Sequence, residues 1–374
     1  MKIVYCTDQL YKHGGVERVI SLKVNGLIKY ADAEISIITY DQCKHKNLYY
    51  FDKKVNFFDL GINYKRELSF FNIINLIKSI KHFFLFKKMI LKLKPDVIVS
   101  VINGPEYYIL PLIKGRTPII REFHTSRYSE ELTRKKKNFV KKNFYFFSDW
   151  IEKKYDCCVV LNSDELAYCK NKNLHVIPNP IEIIDNNSDY SVKSKTAISV
   201  GRIEHVKGFD LLIDAWEIVN REYPEWILNI YGEGNKELIK KLNRKISIYK
   251  LQDNVFLRGS TSNIIEKMRA SSFYILSSRS ESFGLVLLEA QSQKIPVIAF
   301  DCPTGPRNII NNGVDGFLVK KEDVNELASK IIYLIENENV RKSMGEKGFE
   351  NIQKYKIEIV ISKWELLFAN LIHK

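Results

Sequence analysis

The sequence predicts an α/β protein made of two doubly wound parallel-sheet units. Three features point there: short apolar strands alternate with helix-length segments in both halves, a polar turn-rich stretch separates the halves, and 374 residues exceed one comfortable core. In the first half Lys2–Cys6, Glu34–Tyr40, Val97–Val101, Pro118–Arg121 and Cys157–Leu161 read as strands. The second half repeats the pattern with Ala197–Val200, Trp226–Tyr231, Val255–Leu257, Phe273–Leu276 and Pro296–Ala299.

The boundaries follow from composition. Pro178-Asn179-Pro180 and the aperiodic polar run that follows place a linker at 181–196, between a first domain at 1–180 and a second at 197–354. Residues 355–374 carry apolar side chains at helical spacing around Trp364, Leu367 and Phe368, so a terminal helix is expected there. With two domains of similar size, a cleft between them is the expected binding site.

Charge is distributed unevenly. Residues 1–180 hold 31 Lys and Arg against 18 Asp and Glu, so +13 of the net +14 lies in the first half. With 45% hydrophobic residues, disorder is excluded for the bulk of the chain. The six cysteines show no CxxC spacing and no histidine cluster accompanies them, which favours reduced structural thiols over a metal centre. Met1–Asp8 reads as a strand entering a polar loop rather than a signal peptide, and no apolar run reaches the roughly 18 residues needed to span a bilayer. A soluble or peripheral protein is expected.

Candidate chemistry gathers in loops that follow strands, where open parallel sheets hold ligands. Arg202 and Lys207 follow Ala197–Val200 and suit a diphosphate, the arginine as a planar fork and the lysine as a mobile charge, or else form an ordinary solvated basic loop. Gly232, in Gly232-Glu233-Gly234, permits close backbone approach. Glu281 and Glu289 lie eight residues apart across a loop-to-helix junction. On a continuous helix that spacing gives about 12 Å and about 80°, so the two carboxylates are expected to touch different parts of a long ligand. A glycosidase pair would instead flank one bond. The amides of Phe283, Gly284 and Leu285 open this helix toward negative phosphate charge. In the first half, Gly15 in Gly14-Gly15-Val16-Glu17-Arg18 precedes a helix without GxGxxG spacing, and His124 follows a strand in Arg121-Glu122-Phe123-His124. No DxD triplet occurs, so a metal holding a nucleotide diphosphate would lack its usual carboxylates.

Taken in order, these segments, with Ile177–Pro180 and Gly313–Val319, resemble the retaining glycosyltransferases of family 4, the group 1 glycosyltransferases, over nearly the whole chain. The resemblance implies a GT-B fold, two Rossmann-like domains facing across a cleft, with the terminal helix crossing back to the first domain. It implies that Arg202 and Lys207 bind the donor diphosphate, Glu281 the donor-sugar hydroxyls and Glu289 the ribose. His124 would lie beside the transferred sugar and Gly15 near the donor phosphate. No metal or other cofactor is implied. Asp301–Arg307 is similar to bacterial members that build surface polysaccharide from UDP-hexoses, so a UDP-sugar donor and a lipid-linked or growing glycan acceptor are expected. The competing enzyme readings are a GT-B-like phosphorylase and a UDP-sugar epimerase. A basic nucleic-acid module is disfavoured, because no recognition motif or basic helix with aromatic interleaving occurs.

Two segments, 64–94 and 134–154, mix lysines with large apolar and aromatic residues. They are either ordinary helices with lysines in water or, given the basic first domain, a surface that binds the anionic cytoplasmic leaflet of the membrane.

Overall fold

The computed structural model describes residues 1–69, 72–102, 104–135, 139–183 and 194–373, and the side chains of these except Lys135 and residues 139–143. The chain divides into two units: Met1–Glu182 with Tyr355–Lys374, and Ile183–Lys354. Residues 184–193 of the expected linker, and Lys374 at the end of the expected terminal helix, lie outside the described residues.

The first unit runs β1 (Lys2–Cys6), α1 (Gly15–Ala31), β2 (Glu34–Thr39), β3 (Asn56–Asp59), α2 (Ile73–Leu93), β4 (Val97–Ser100), α3 (Pro105–Ile113), β5 (Ile119–Glu122), α4 (Arg127–Lys135), α5 (Phe139–Glu152), β6 (Cys157–Val160) and β7 (Leu174–Val176). Its strands form one sheet in the order β3-β2-β1-β4-β5-β6-β7. The second unit runs β8 (Thr196–Val200), α6 (Phe209–Glu222), β9 (Ile227–Tyr231), α7 (Lys236–Ile248), β10 (Val255–Leu257), α8 (Ile264–Arg269), β11 (Phe273–Leu276), α9 (Leu285–Ser292), β12 (Val297–Phe300), β13 (Gly316–Val319), α10 (Val324–Glu336) and α11 (Glu338–Asn351). Its sheet has the order β10-β9-β8-β11-β12-β13. Strand order reverses between β1 and β4 in one sheet and between β8 and β11 in the other, which defines two switch points.

Three strands were not read from the sequence. Strands β3, β7 and β13 are sheet edges; Asn56-Phe57-Phe58-Asp59 is largely exposed and Leu174-His175-Val176 is half-buried, so these two lack the continuous apolar run that marks a buried strand. The six cysteines are free.

The terminal helix α12 (Ile357–Ile372) belongs to the first unit. Val360, Ile361, Trp364, Leu367, Phe368 and Leu371 join Ile3, Tyr5, Ile20, Val24 and Leu27 in one core on the α1 side of the sheet. The opposite side holds a second core, to which α2 gives Phe86 and Ile90, α3 gives Tyr107 and Leu110, and α5 gives Ile151. The second unit is closed by a core around Trp216, Phe273 and Ile331.

His82 of α2 is fully buried against Tyr40 and Phe86, with its Nδ1 3.2 Å from the Tyr64 hydroxyl. Burial pushes its pKa down from 6.5 to about 4. The unfolded chain therefore binds one more proton than the folded chain across that window, and stability falls as pH is lowered through it. The loss should reach about 3 kcal/mol. Urea titrations of wild type and His82→Gln, which keeps a partner for Tyr64, should show a shallower loss between pH 6.5 and 4 in the variant. Equal slopes would remove His82 as the cause.

Candidate active site

Apart from Gly15 and His124, the donor-type residues expected from the sequence lie in the second unit, and several converge at its switch point. Past the end of β8 the chain runs through Gly201-Arg202-Ile203-Glu204 into a single 3-10 turn, His205–Lys207, before α6. Gly208 joins the turn to the helix at φ 64°, with the Ser277 carbonyl 2.0 Å from where a Cβ would stand. Only glycine fits both conditions. Its tight fit brings the β8 loop against the β11 loop, and Ser277 Oγ donates to the Lys207 carbonyl at 3.0 Å.

Lys207 and Glu281 meet there. The ammonium donates to Glu281 Oε2 at 2.6 Å, with only 19% and 14% of the two side chains exposed. Ser278 Oγ lies 3.5 Å from the same oxygen. The Glu281 backbone is pinned in a bridge to Thr304: its carbonyl accepts from Thr304 N at 2.9 Å and Gly305 N at 2.8 Å. Burial, with Glu281 close by, pushes the neighbouring Cys302 thiol up to about 12, and Lys207 opposes the shift.

Helix α9 begins at Leu285, so Glu281 stands in the loop and the spacing expected for a continuous helix does not apply to the two carboxylates. Glu289, in the second turn, is 2% exposed. Both carboxylates raise the pKa of the buried Tyr274 hydroxyl, after burial itself, and that hydroxyl donates to the Val200 carbonyl at 3.2 Å. The two carboxylates therefore share one neighbourhood at the ends of β8 and β11. Phe283 is buried, Gly284 caps α9 and Leu285 is its half-buried first residue.

Two expected contacts have a local partner. The Arg202 side chain is 66% exposed and pairs with Glu204 Oε1 at 2.7 Å. Gly232 has the Gly201 carbonyl 1.9 Å from where its Cβ would be, so the packing of the β9 loop on the β8 loop already requires glycine.

Gly15 and His124 lie in the first unit. Gly15 is the first residue of α1, and a Cβ there would meet no atom within 4 Å. The His124 side chain is 4% exposed, with Nε2 3.1 Å from Glu122 Oε1. Among the described residues no group of three His, Cys, Asp or Glu is placed to hold a metal.

Sequence reasoning missed Ser278, Thr304 and the Arg279–Asp210 pair. Arg279 donates to Asp210 Oδ1 at 2.8 Å and Oδ2 at 2.6 Å, and to the His205 carbonyl at 2.8 Å, tying the β11 loop to the start of α6. Burial raises the Asp210 carboxyl, but the guanidinium holds it below its ordinary value. The only signal was a cation just past a buried strand.

Residues 180–351 match the family model of the glycosyl transferases group 1. An uncharacterized glycosyltransferase of Methanocaldococcus jannaschii is 30% identical over 361 residues, covering 91% of this chain and 91% of that protein. The chain belongs to the group 1 glycosyltransferases. It is also 32% identical over 198 residues to the poly(ribitol-phosphate) alpha-N-acetylglucosaminyltransferase of Staphylococcus aureus, over 53% of this chain and 40% of that protein. The crystal structure of a point mutant of S. aureus TarM, in complex with Fondaparinux, alpha-GlcNAc-glycerol and UDP, aligns over 100% of both chains with a TM-score of 0.78 at 18% identity. At that identity the likeness establishes the fold, GT-B with two Rossmann-like domains. The chain spans 19 to 55% of the length of the first curated relatives it matches.

Arg279→Met should lower stability by about 1–2 kcal/mol in urea titrations, through loss of charge-assisted hydrogen bonds near the surface. An unchanged midpoint would mean that the Arg279 N to Val206 carbonyl bond, at 2.7 Å, suffices to hold the loop.

Proposed function

We propose that the protein transfers a hexosyl or N-acetylhexosaminyl group from a UDP-sugar to a hydroxyl of a lipid-linked or growing bacterial glycan, with retention of configuration. The contact between Lys207 and Glu281 at the switch point of the second sheet carries this reading. A half-buried ammonium beside a carboxylate offers the two chemistries a nucleotide sugar needs: a cation for the diphosphate and acceptors for sugar hydroxyls. Arg202 adds a second, mobile cation, and the amides of Phe283, Gly284 and Leu285 add the start of α9. Glu289 is the ribose contact, and His124 and Gly15 are the contributions of the first unit.

In the proposed step the bond from the anomeric carbon to the diphosphate oxygen breaks as the acceptor oxygen bonds to the same face of that carbon. The acceptor proton passes to the leaving diphosphate oxygen. Charge develops on the diphosphate, where Lys207 and Arg202 stabilise it, so transfer is proposed to need no metal. Glu281→Ala should lower turnover at least about 100-fold, on the scale of losing one preorganised polar contact, while wild type keeps its activity in excess EDTA. Radiolabelled transfer to a glycan acceptor and a melting-shift screen of UDP-, GDP- and ADP-sugars measure both. Near-normal turnover of the variant, or activity that returns only with magnesium or manganese, would overturn the assignment. UDP-sugar interconversion without an acceptor would favour the epimerase, and dependence on inorganic phosphate the phosphorylase.

The proposed place of work is the inner face of the cytoplasmic membrane. Ile73, Ile77, Ile80, Phe84 and Leu91 of α2 are each more than 60% exposed, and at 100° per residue they fall within one stripe about 60° wide. The buried Asn75, His82, Phe86 and Ile90 occupy the opposite face. On the same helical wheel Lys81, Lys88 and Lys92 flank the stripe on one side and Lys87 on the other, and the helix carries no acidic residue. Helix α5 adds exposed Phe144, Phe146, Phe147 and Trp150, with Phe147 stacked on Tyr108 of α3 at 5.8 Å. Of the basic run expected to join them, Lys136 and Lys137 lie outside the described residues, as do the side chains of Lys135, Lys141 and Lys142. Among the described residues no helix is long and apolar enough to cross a membrane. An exposed apolar stripe edged by cations matches an anionic lipid surface.

Co-sedimentation should rise with the anionic lipid content of vesicles and fall with salt. Ile77→Glu/Phe84→Glu should abolish it while leaving the UDP melting shift intact. Retention in the supernatant under every condition would assign the basic surface to an acidic glycan instead.

A further inference from the structure

The switch point of the first sheet, between β1 and β4, carries a group that the proposed chemistry does not use. Glu106 stands in the first turn of α3, just past β4, and is 1% exposed. Among the described residues neither of its carboxyl oxygens has a hydrogen-bond partner. Glu122 of the same unit shows the ordinary solution: Lys23 donates to both its oxygens beneath the Trp364 and Tyr5 rings, and both side chains are 1% exposed. A buried carboxyl without such a partner costs stability, so Glu106 is better read as part of a site than as a support of the fold.

Its surroundings are polar and come from the ends of three strands. Gly104, the N-cap of α3, has the Tyr40 hydroxyl 2.0 Å and Glu106 Oε2 2.3 Å from where a Cβ would stand, so both groups converge on one patch of backbone. Tyr40 follows β2 and is 4% exposed. Asp8 follows β1, with 13% of its side chain exposed, and shares the Arg66 guanidinium with Asp41, at 2.6 and 2.9 Å. Two carboxylates against one guanidinium leave the balance negative. Asp8, Gly104 and Pro105 are half-buried, so the site opens at the β1 and β4 loops.

Burial pushes the Glu106 carboxyl up to about 8, with Arg121 opposing the shift. At neutral pH it is therefore mostly a neutral acid, which donates one hydrogen bond and accepts others. A hydroxyl has the same dual character. An anion would meet Asp8, and a cation would find no charge on Glu106.

We propose that Glu106, with the Tyr40 hydroxyl and Asp8, forms a site for the hydroxyls of an uncharged sugar, the part of the acceptor that the first unit recognises. This rests on the reading of the protein as a transferase onto a glycan hydroxyl. Tyr40 and Glu106 each donate and accept, and Asp8 only accepts, so adjacent hydroxyls of one ring can serve all three.

Saturation-transfer NMR titrations, run without donor, test the site with methyl glycosides of glucose, galactose and N-acetylglucosamine and with methyl glucuronide. At least one neutral glycoside should bind, and the glucuronide at least about tenfold more weakly. Glu106→Met, unbranched and apolar, should weaken neutral binding about tenfold, the scale of one hydrogen bond. Glu106→Gln, which still donates and accepts, should stay within about threefold. Unchanged binding in Glu106→Met, tighter binding of the glucuronide, or no binding by any neutral glycoside would overturn the proposal. If Glu106→Met does not fold, Tyr40→Phe decides in its place: it should weaken binding at least about threefold, and wild-type affinity would overturn the site.

Urea titrations give a second readout. The titratable groups facing Glu106 are Asp8 and Cys6 of the β1 segment, Tyr40, Tyr64, Arg121 of β5 and Tyr155. The folded chain holds the proton to about pH 8 and the unfolded chain releases it near 4.5, so this group's contribution to stability falls as pH rises through that window. The stability of Glu106→Gln relative to wild type should therefore rise from pH 4.5 to 8. A constant difference would mean that Glu106 is ionised in the fold, and would remove it as a donor. Absence of sugar transfer from every donor would remove the proposed reaction and leave glycoside binding to judge this site.

Discussion

Parallel strand pairing is the constraint from which the rest of this structure follows. All eleven strand pairings among the described residues are parallel, so each strand must be reached by a crossover, and most crossovers contain a helix. The loops that leave the strands consequently gather at one edge of each sheet. Where strand order reverses, neighbouring loops turn to opposite faces and leave room for a ligand. Lys207 and Glu281 occupy that position in the second unit although 74 residues separate them in sequence. Neither residue is notable alone, and their contact is a product of topology.

Most of the legible part of the fold was the part buried on both faces. Val97–Ser100 and Val297–Phe300 are fully buried, and their unbroken apolar runs announce as much. Edge strand β3, Asn-Phe-Phe-Asp, sits partly in water and carries no such signature. The same division holds at the site. Individual residues of the β8 and β11 loops could be picked out by type and by the strands before them. Their distant partners could not, because Gly201 beneath Gly232 and Lys23 beneath Glu122 depend on how separate segments pack.

The two ion pairs differ in what surrounds them. Lys207 and Glu281 remain partly exposed, so water or a ligand can compete for each charge, and the pair can open at modest cost. Lys23 and Glu122 are sealed beneath Trp364 and Tyr5, where separating them would leave a bare charge in an apolar core. One arrangement suits exchange of partners, the other permanence.

The return of α12 to the first unit bears on how the molecule is made. The first core stays open along α1 until Val360, Trp364 and Leu371 arrive, whereas every buried member of the second unit's core has been synthesised by Met344. The order of completion therefore reverses the order of synthesis: the domain begun first closes last. Until then the part of its apolar face beside α1 that α12 covers stays open, and during that interval a chaperone, or a second unfinished chain, has its best access to it.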